Sequence, residues 1–135
     1  MNTASILATG LTVVLAAPLA AETIRIGHAT PESSPIHQAL VYFEEQLEAR
    51  SDGAFDVEIF PGGQLGSVRE MTDLVQSGNI TMTTGASVHL SAAVDELAVL
   101  DQFLLFETEE QARALLDGEA GDTIAAAMEE RGLKN

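Results

Sequence analysis

Three histidines are the side chains of this sequence best suited to metal binding or proton transfer: His28, His37 and His89. Their spacing does not give the i,i+4 pair that places two metal ligands on one helix face, and no dense cluster of acids accompanies them. Cysteine is absent, which excludes disulfides, thiolate zinc sites and cysteine nucleophiles. We therefore predict no metal site and no cofactor.

The sequence contains no motif typical of an enzyme active site. The sequence lacks the G-x-S-x-G elbow of serine hydrolases, the G-x-x-x-x-G-K-[ST] phosphate loop and the G-x-G-x-x-G dinucleotide fingerprint. Adjacent carboxylates such as Glu44 with Glu45, or Glu129 with Glu130, fall on predicted solvent faces, where charged surface is the ordinary explanation. The sequence predicts no catalytic residue and a protein that is not an enzyme.

A glycine-rich turn, Pro61-Gly62-Gly63-Gln64-Leu65-Gly66, precedes Ser67. Free amides at a helix N-terminus attract anions, and glycine lets a backbone approach a ligand closely. The same glycines also suit a tight connection from a strand to a helix, with Ser67 accepting from one of the free amides. The spacing favours the structural role and leaves anion binding as the alternative.

Composition limits the partners. Six Lys and Arg residues face 21 Asp and Glu residues, for a formal net charge of −15. Nucleic-acid binding needs clustered cations, so we predict no nucleic-acid partner. The 135 residues allow one domain at most.

The N-terminal stretch predicts export. Residues 6–19 are apolar and uncharged, and Ala20 and Ala21 provide small residues for cleavage before Glu22. The apolar run is shorter than the roughly 20 residues that a membrane span needs. We assign residues 1–21 to a cleaved signal peptide and residues 22–135 to one domain exported to the periplasm.

The first elements after the signal predict a strand–helix–strand unit. Residues 23–28 alternate as a strand does, and residues 54–60 alternate again. Between them Ser34 and Pro35 suit a helix start, and Gly53 suits its end. The apolar face of this helix is predicted to contain Ile36, Leu40, Phe43 and Leu47. This pattern is typical of a crossover between parallel strands.

Further elements follow the glycine turn. Ser67 and Glu70 have the spacing of a capping box that begins a second helix, and residues 77–79 suit its end. Residues 80–84 predict a third strand. Weaker patterns predict a helical turn at residues 92–97, an apolar segment at 103–106, a helix from Thr108 and a helix over residues 122–131, before a strand that starts at Leu133.

Several of these runs together resemble a known family. They are Ile24-Arg25-Ile26-Gly27-His28, Ser34-Pro35-Ile36-His37, Phe60-Pro61-Gly62-Gly63-Gln64-Leu65-Gly66, Arg69-Glu70-Met71 and Val75-Gln76-Ser77-Gly78. In this order and spacing they resemble the N-terminal lobe of the substrate-binding proteins of TRAP transporters, the DctP-like family. Phe103 stands where the family usually has a proline. The resemblance implies an α/β lobe of the periplasmic-binding-protein type II class, with a mainly parallel sheet flanked by helices.

The resemblance also implies a function. Family members are longer, so this chain is expected to be a truncated, incomplete lobe. In the family two lobes close around a solute, usually an organic acid, and the closed form docks on the membrane subunits of a TRAP permease. The main carboxylate-binding arginine belongs to the second lobe, which the resemblance places beyond Asn135. The chain alone is therefore expected to bind such an acid weakly or not at all.

Ligand contacts in open α/β sheets come from loops at the carboxyl ends of strands. Carried onto this chain by the resemblance, the expected ligand-binding residues are His28, Ala29, Val68, Arg69, Ala86 and Ser87. Of these, His28, Arg69 and Ser87 are the first choices. Three other functions stay open: an ATP-binding-cassette type receptor, a fragment of an α/β enzyme, and a free-standing structural or sensing domain.

Overall fold

The computed structural model describes residues 21–102 and 106–134. Its elements, in chain order, are β1 (Glu22–His28), α1 (Pro35–Arg50), β2 (Phe55–Phe60), α2 (Val68–Gln76), β3 (Met82–Thr84), α3 (Ser87–Leu90), a 3-10 helix (Asp95–Asp101), α4 (Glu109–Leu116) and α5 (Glu119–Glu130). The strands form one parallel sheet in the order β2-β1-β3. The predicted α/β class with a mainly parallel sheet is confirmed.

Helices α1 and α2 cover opposite faces of the sheet. Ile26 of β1 packs in a buried cluster with Leu40 of α1. The next residue, Gly27, faces Met71 of α2. Because neighbouring residues of a strand point to opposite faces, the two helices lie on opposite sides of β1. The crossover from β1 through α1 to β2 therefore forms as the sequence predicts.

Local signals set the starts of three helices. The hydroxyl of Ser34 accepts from the amide of His37 at the start of α1, and Pro35 occupies the first turn. At the start of α2, Ser67 and Glu70 form the predicted capping box. The hydroxyl of Thr108 accepts from the amide of Gln111 at the start of α4. These side chains bond backbone amides that have no partner inside the helix.

The third strand is shorter than predicted. It spans Met82–Thr84, whereas the prediction began at Ile80. Ile80 is buried against α2, and its amide donates to the carbonyl of Leu74 in that helix, 3.3 Å away. That amide is therefore engaged with the end of α2 instead of extending the β1 pairing.

The helical turn predicted at residues 92–97 is wrong in position. The chain instead forms α3 and the 3-10 helix, and Val94 between them is extended and fully buried. Val94 belongs to a buried C-terminal cluster, which also contains Leu97, Ile124, Ala127 and Leu133. Tertiary packing of Val94 therefore overrides the local helical pattern.

The C-terminal predictions hold in part. Helix α5 begins at Glu119, three residues before the predicted start. A side chain at Gly121 would clash with the carbonyl of Leu116, so this glycine permits the close approach of α4 and α5 and does not interrupt the helix. Leu133 is buried with its amide bonded to the carbonyl of Met128, so the predicted strand start is wrong within the described residues.

Two predictions fall mainly outside the described residues. They are the signal peptide at residues 1–21, of which only Ala21 is described, and the apolar segment at 103–106, of which only Phe106 is described. Within the described ranges, none of the helices has the length and apolar character needed to cross a membrane.

Candidate ligand-binding site

The carboxyl ends of two neighbouring strands meet at one edge of the sheet. His28 at the end of β1 is the register partner of Thr84 at the end of β3. The loops that leave these strands therefore lie side by side, beside the first turns of α2 and α3. A pocket of ≈ 660 Å³ opens here, the strand-end pocket, which is lined by Ala29, Thr30, Ile36, Ala39, Leu40, Phe43, Val68, Met82, Thr84, Gly85, Ala86 and His89.

The lining of the strand-end pocket is mainly apolar. Helix α1 contributes Ile36 and Phe43, which are 45% and 36% exposed, respectively. Thr30, Thr84 and His89 supply the polar groups. An apolar surface with a few polar groups is typical of sites for small molecules. The apolar helix face that the sequence predicts thus forms one side of a pocket.

Gly85 shapes the inner end of the pocket. A β-carbon at this position would clash with Cγ1 of Val68. Val68 is buried and β-branched, so its side chain has little freedom to move aside. Glycine at position 85 therefore lets the loop after β3 pass close to the start of α2.

The glycine turn fixes the loop that follows β1. Gly62 and Gly63 have φ angles of 63° and 74°, in the left-handed region that favours glycine. The amide of Gly62 donates to the carbonyl of Thr30 at 2.9 Å, and the amide of Gly63 donates to the carbonyl of His28 at 3.0 Å. Both amides are therefore occupied within the protein, which agrees with the structural role favoured by the sequence.

The first turn of α2 is also satisfied by its own side chains. The amide and the hydroxyl of Ser67 donate to Oε2 of Glu70 at 2.7 and 2.8 Å, and the amide of Glu70 donates to the Ser67 hydroxyl. The backbone and side-chain hydrogen bonds from Ser67 lower the pKa of the Glu70 carboxyl. A carboxylate already occupies this helix N-terminus.

Three of the six predicted ligand-binding residues line the strand-end pocket. Ala29 follows β1, Val68 begins α2, and Ala86 caps α3. The structure therefore brings together the three strand-end and helix-start segments that the sequence singled out.

The first-choice residues His28, Arg69 and Ser87 are not among the lining residues. Arg69 lines a separate cavity of ≈ 190 Å³ together with Asp73. The Ser87 hydroxyl donates to Oδ1 of Asp101 at 2.6 Å, which links α3 to the 3-10 helix. Direct ligand contact by these three side chains stays a prediction.

His28 is the most deeply placed of the three. Its side chain is fully buried, at 0% exposure. Its Nδ1 lies 2.9 Å from Oγ1 of Thr30, and its Nε2 lies 3.1 Å from Nδ1 of His37. Burial lowers the pKa of His28, and the charge of His37 lowers it further, although a hydrogen bond with the backbone of Thr30 opposes these effects. The neutral imidazole is therefore favoured at this position.

The sequence did not identify several residues of the pocket. Ile36 and Phe43 follow the spacing of any amphipathic helix, which does not distinguish core from pocket. His89, considered only as a metal ligand, lines both the strand-end pocket and the cavity of Arg69. Across residues 21–102 and 106–134, no three His, Cys, Asp or Glu side chains are grouped so as to hold a metal ion.

Comparison with known proteins identifies the family. A match to the bacterial extracellular solute-binding proteins of family 7, named DctP, spans residues 26–135. The chain is 31% identical to the 2,3-diketo-L-gulonate-binding periplasmic protein YiaO of Escherichia coli, over 93% of this chain and 38% of that protein. It is 29% identical to the C4-dicarboxylate-binding periplasmic protein DctP of Rhodobacter capsulatus, over 93% of this chain and 39% of that protein.

A solved structure gives the same result for the fold. The sugar acid binding protein DctPAm of Advenella mimigardefordensis, in complex with galactonate, matches with a TM-score of 0.79 at 27% identity, over 84% of this chain and 37% of that one. The chain thus spans less than 40% of the length of these relatives. The predicted periplasmic-binding-protein lobe is confirmed. The chain belongs to family 7 of the bacterial extracellular solute-binding proteins, the DctP family of periplasmic receptors.

Proposed function

We propose that residues 22–135 are the N-terminal lobe of an extracytoplasmic receptor that captures a small organic acid and delivers it to a TRAP-type permease. In this proposal residues 1–21 direct export and are removed, and a second lobe supplies the opposite side of the binding cleft. Support comes from the family match and from relatives named for a diketo-gulonate, C4-dicarboxylates and galactonate.

The strand-end pocket is the observation that carries the proposal. It lies where ligands bind in open α/β sheets, at the carboxyl ends of the neighbouring strands β1 and β3. Ala29, Val68 and Ala86 bring three separate chain segments to it. We propose these residues as ligand contacts. A ligand held by this surface and by a second lobe favours the closed arrangement, because it contacts both lobes only there.

The charges indicate how recognition is divided. The residues that line the strand-end pocket include no Lys or Arg within the described chain, and the formal charge of the whole sequence is −15. This negative charge repels an anionic ligand unless a guanidinium or a similar cation lies close to the ligand's carboxylate. We propose that this lobe contributes shape and the polar groups of Thr30, Thr84 and His89, while the second lobe supplies the main positive charge.

The alternatives have less support. The family match favours a TRAP-type receptor over an ATP-binding-cassette receptor. A family of solute-binding proteins likewise gives no support to an enzyme, and we propose that the chain has no catalytic activity.

A thermal-shift screen tests the proposal. The protein from the complete gene is heated with galactonate, succinate or glucuronate, each matched with a neutral analogue such as galactitol, 1,4-butanediol or glucose. A captured acid at 100 times its Kd is expected to stabilise the folded state by about 2.7 kcal/mol. Equal shifts with an acid and its neutral analogue, or no shift across a broad panel of organic acids, would overturn the proposal.

A further inference from the structure

The buried His28 lies where three chain segments meet. Its carbonyl accepts from Gly63 in the turn after β2. Its ring bonds Thr30 in the loop after β1 and His37 in the first turn of α1. Thr30 is itself bonded by the hydroxyl of Ser34, the N-cap of α1. One continuous set of hydrogen bonds therefore holds the loop after β1 against the start of α1.

Both segments also form part of the strand-end pocket. Ala29 and Thr30 come from the loop, and Ile36 comes from the first turn of α1. His28 immediately precedes Ala29, and His37 immediately follows Ile36. These two histidines are called the histidine pair below. A change in the distance between the two rings would therefore change the relative position of two pocket segments.

Proton counting limits the charge that the histidine pair carries. Nε2 of His28 and Nδ1 of His37 lie 3.1 Å apart, so the contact needs one hydrogen, on either nitrogen. A neutral pair satisfies this condition, and so does a pair with one positive charge. When both rings are protonated, each of the two nitrogens carries a hydrogen and neither can accept. The contact is then repulsive.

The surroundings determine which state is favoured. Burial disfavours charge on His28, and among the described residues His37 is the titratable group whose charge acts on it. His37 is half-buried and interacts with Glu44 further along α1. Glu44 has a raised pKa through burial and through Glu48, Glu45 and Asp56, and the charge of His37 opposes that rise. Double protonation of the pair is therefore the costly state.

We propose that the histidine pair is a proton-dependent latch that positions the loop after β1 against α1, holds the strand-end pocket in shape at neutral pH, and releases it when both rings are protonated. His28 is then a positioning residue behind the pocket, not a ligand contact. The consequence for solute capture depends on the proposed function, whereas the latch itself does not.

The direction of the pH effect follows from the depressed pKa of His28. A group that is neutral in the folded state contributes stability above its unfolded pKa of about 6.5, and loses it as the pH falls. The latch is thus closed near pH 8 and opens only below that unfolded pKa, when the pair takes up its second proton. If one proton must leave before the solute binds, Kd rises by up to about tenfold per pH unit in the acidic range.

Titration calorimetry with a monocarboxylate, galactonate, tests this consequence between pH 8 and pH 5. Galactonate stays ionised in this range, because a single carboxyl titrates near pH 4. His37→Asn keeps a hydrogen-bonding group at the position of Nδ1 but removes the titration. We expect Kd to rise on acidification in the wild type and to stay nearly constant in His37→Asn. Circular dichroism checks that the variant folds, and His28→Gln provides a second variant.

His89→Asn tests whether His89, which also lines the pocket, causes the pH dependence of Kd. A pH dependence that persists in both latch variants and disappears in His89→Asn would overturn the proposal.

The titration of the ring nitrogens, followed by NMR without ligand, tests the latch independently of any solute. We expect the pKa of His28 to be higher in His37→Asn than in the wild type, because the charge of His37 lowers it in the wild type. Identical His28 titration in both proteins would refute the latch even if no acid binds.

Discussion

The contact between β1 and α2 offers a quantitative test of the packing. Met71 of α2 is fully buried, and a methyl group added at Gly27 of β1 would lie 2.7 Å from its sulfur atom. The same methyl would lie 3.4 Å from a carbon of Leu65 and 3.5 Å from a carbon of Ile80. Gly27→Ala therefore forces Met71 to move within a site that has little spare room.

Each single change should destabilise the protein for a different reason. Gly27→Ala overpacks the site, at a cost of about 1–3 kcal/mol. Met71→Ala leaves a cavity, at a cost of about 2–5 kcal/mol. In the double variant the new methyl occupies space that Met71 vacated. We therefore expect the double variant to be more stable than the sum of the single effects predicts, by about 0.5–3 kcal/mol.

Urea denaturation followed by circular dichroism measures these free energies, provided that the slope m stays constant across the variants. A matched control combines Gly27→Ala with Leu97→Ala, because Leu97 belongs to a different buried cluster. That pair should be additive within about 0.5 kcal/mol. Additive effects of Gly27→Ala and Met71→Ala would show that the two residues do not share a site, and would refute the packing described for β1 and α2.

Three further predictions concern the start of α2 and the pocket beside it. Ser67→Ala removes the capping box and should lower the free energy of unfolding by about 1 kcal/mol in urea denaturation, with Ser91→Ala as the control expected to cost less. The pKa of Glu70 is lowered, so its charge stabilises the folded state above the ordinary carboxyl pKa of about 4.3. The difference in unfolding free energy between wild type and Glu70→Gln should therefore shrink as the pH falls below that value. A difference that stays constant with pH would contradict this. Gly85→Ala should destabilise the protein by about 1–3 kcal/mol through its clash with Val68, and an unchanged midpoint of unfolding would contradict the close approach.

The parts of the fold that the sequence predicts well are those with short-range causes. The start of α1 at Pro35 and the capping box of α2 depend on neighbouring residues, so spacing alone identifies them. The parallel pairing of β1 and β2 follows from the length of the crossover between them. The motifs shared with the family lie in this same region, so local spacing and family resemblance predict the same elements there.

The errors arise where distant contacts decide the structure. The shortened β3 reflects the burial of Ile80 against α2, and the displaced helical turn reflects the burial of Val94 in the C-terminal cluster. Neither contact is visible in a local pattern. The predicted start of α5 at residue 122 is three residues too late. Gly121 is a weak helix former by sequence, whereas in the structure its lack of a side chain permits the close contact with Leu116.

The candidate site shows the same limit. Strand ends are predictable, so Ala29, Val68 and Ala86 were identified by position. The strand-end position also predicts His28 as a contact, and that prediction stays untested; its burial depends on the loop being folded against α1. Periodicity places Phe43 on the apolar face of α1, but it does not reveal that this face remains partly exposed beside β3.

Titration of an organic acid into the protein from the complete gene, with the strand-end pocket filled by Ala86→Phe, tests the central claim most directly. Ala126→Phe is the matched control, since Ala126 is exposed on α5 and is not among the pocket's lining residues. We expect Ala86→Phe to weaken binding at least about tenfold, or about 1.4 kcal/mol, with the control unchanged. Wild-type affinity in Ala86→Phe would show that the ligand binds elsewhere.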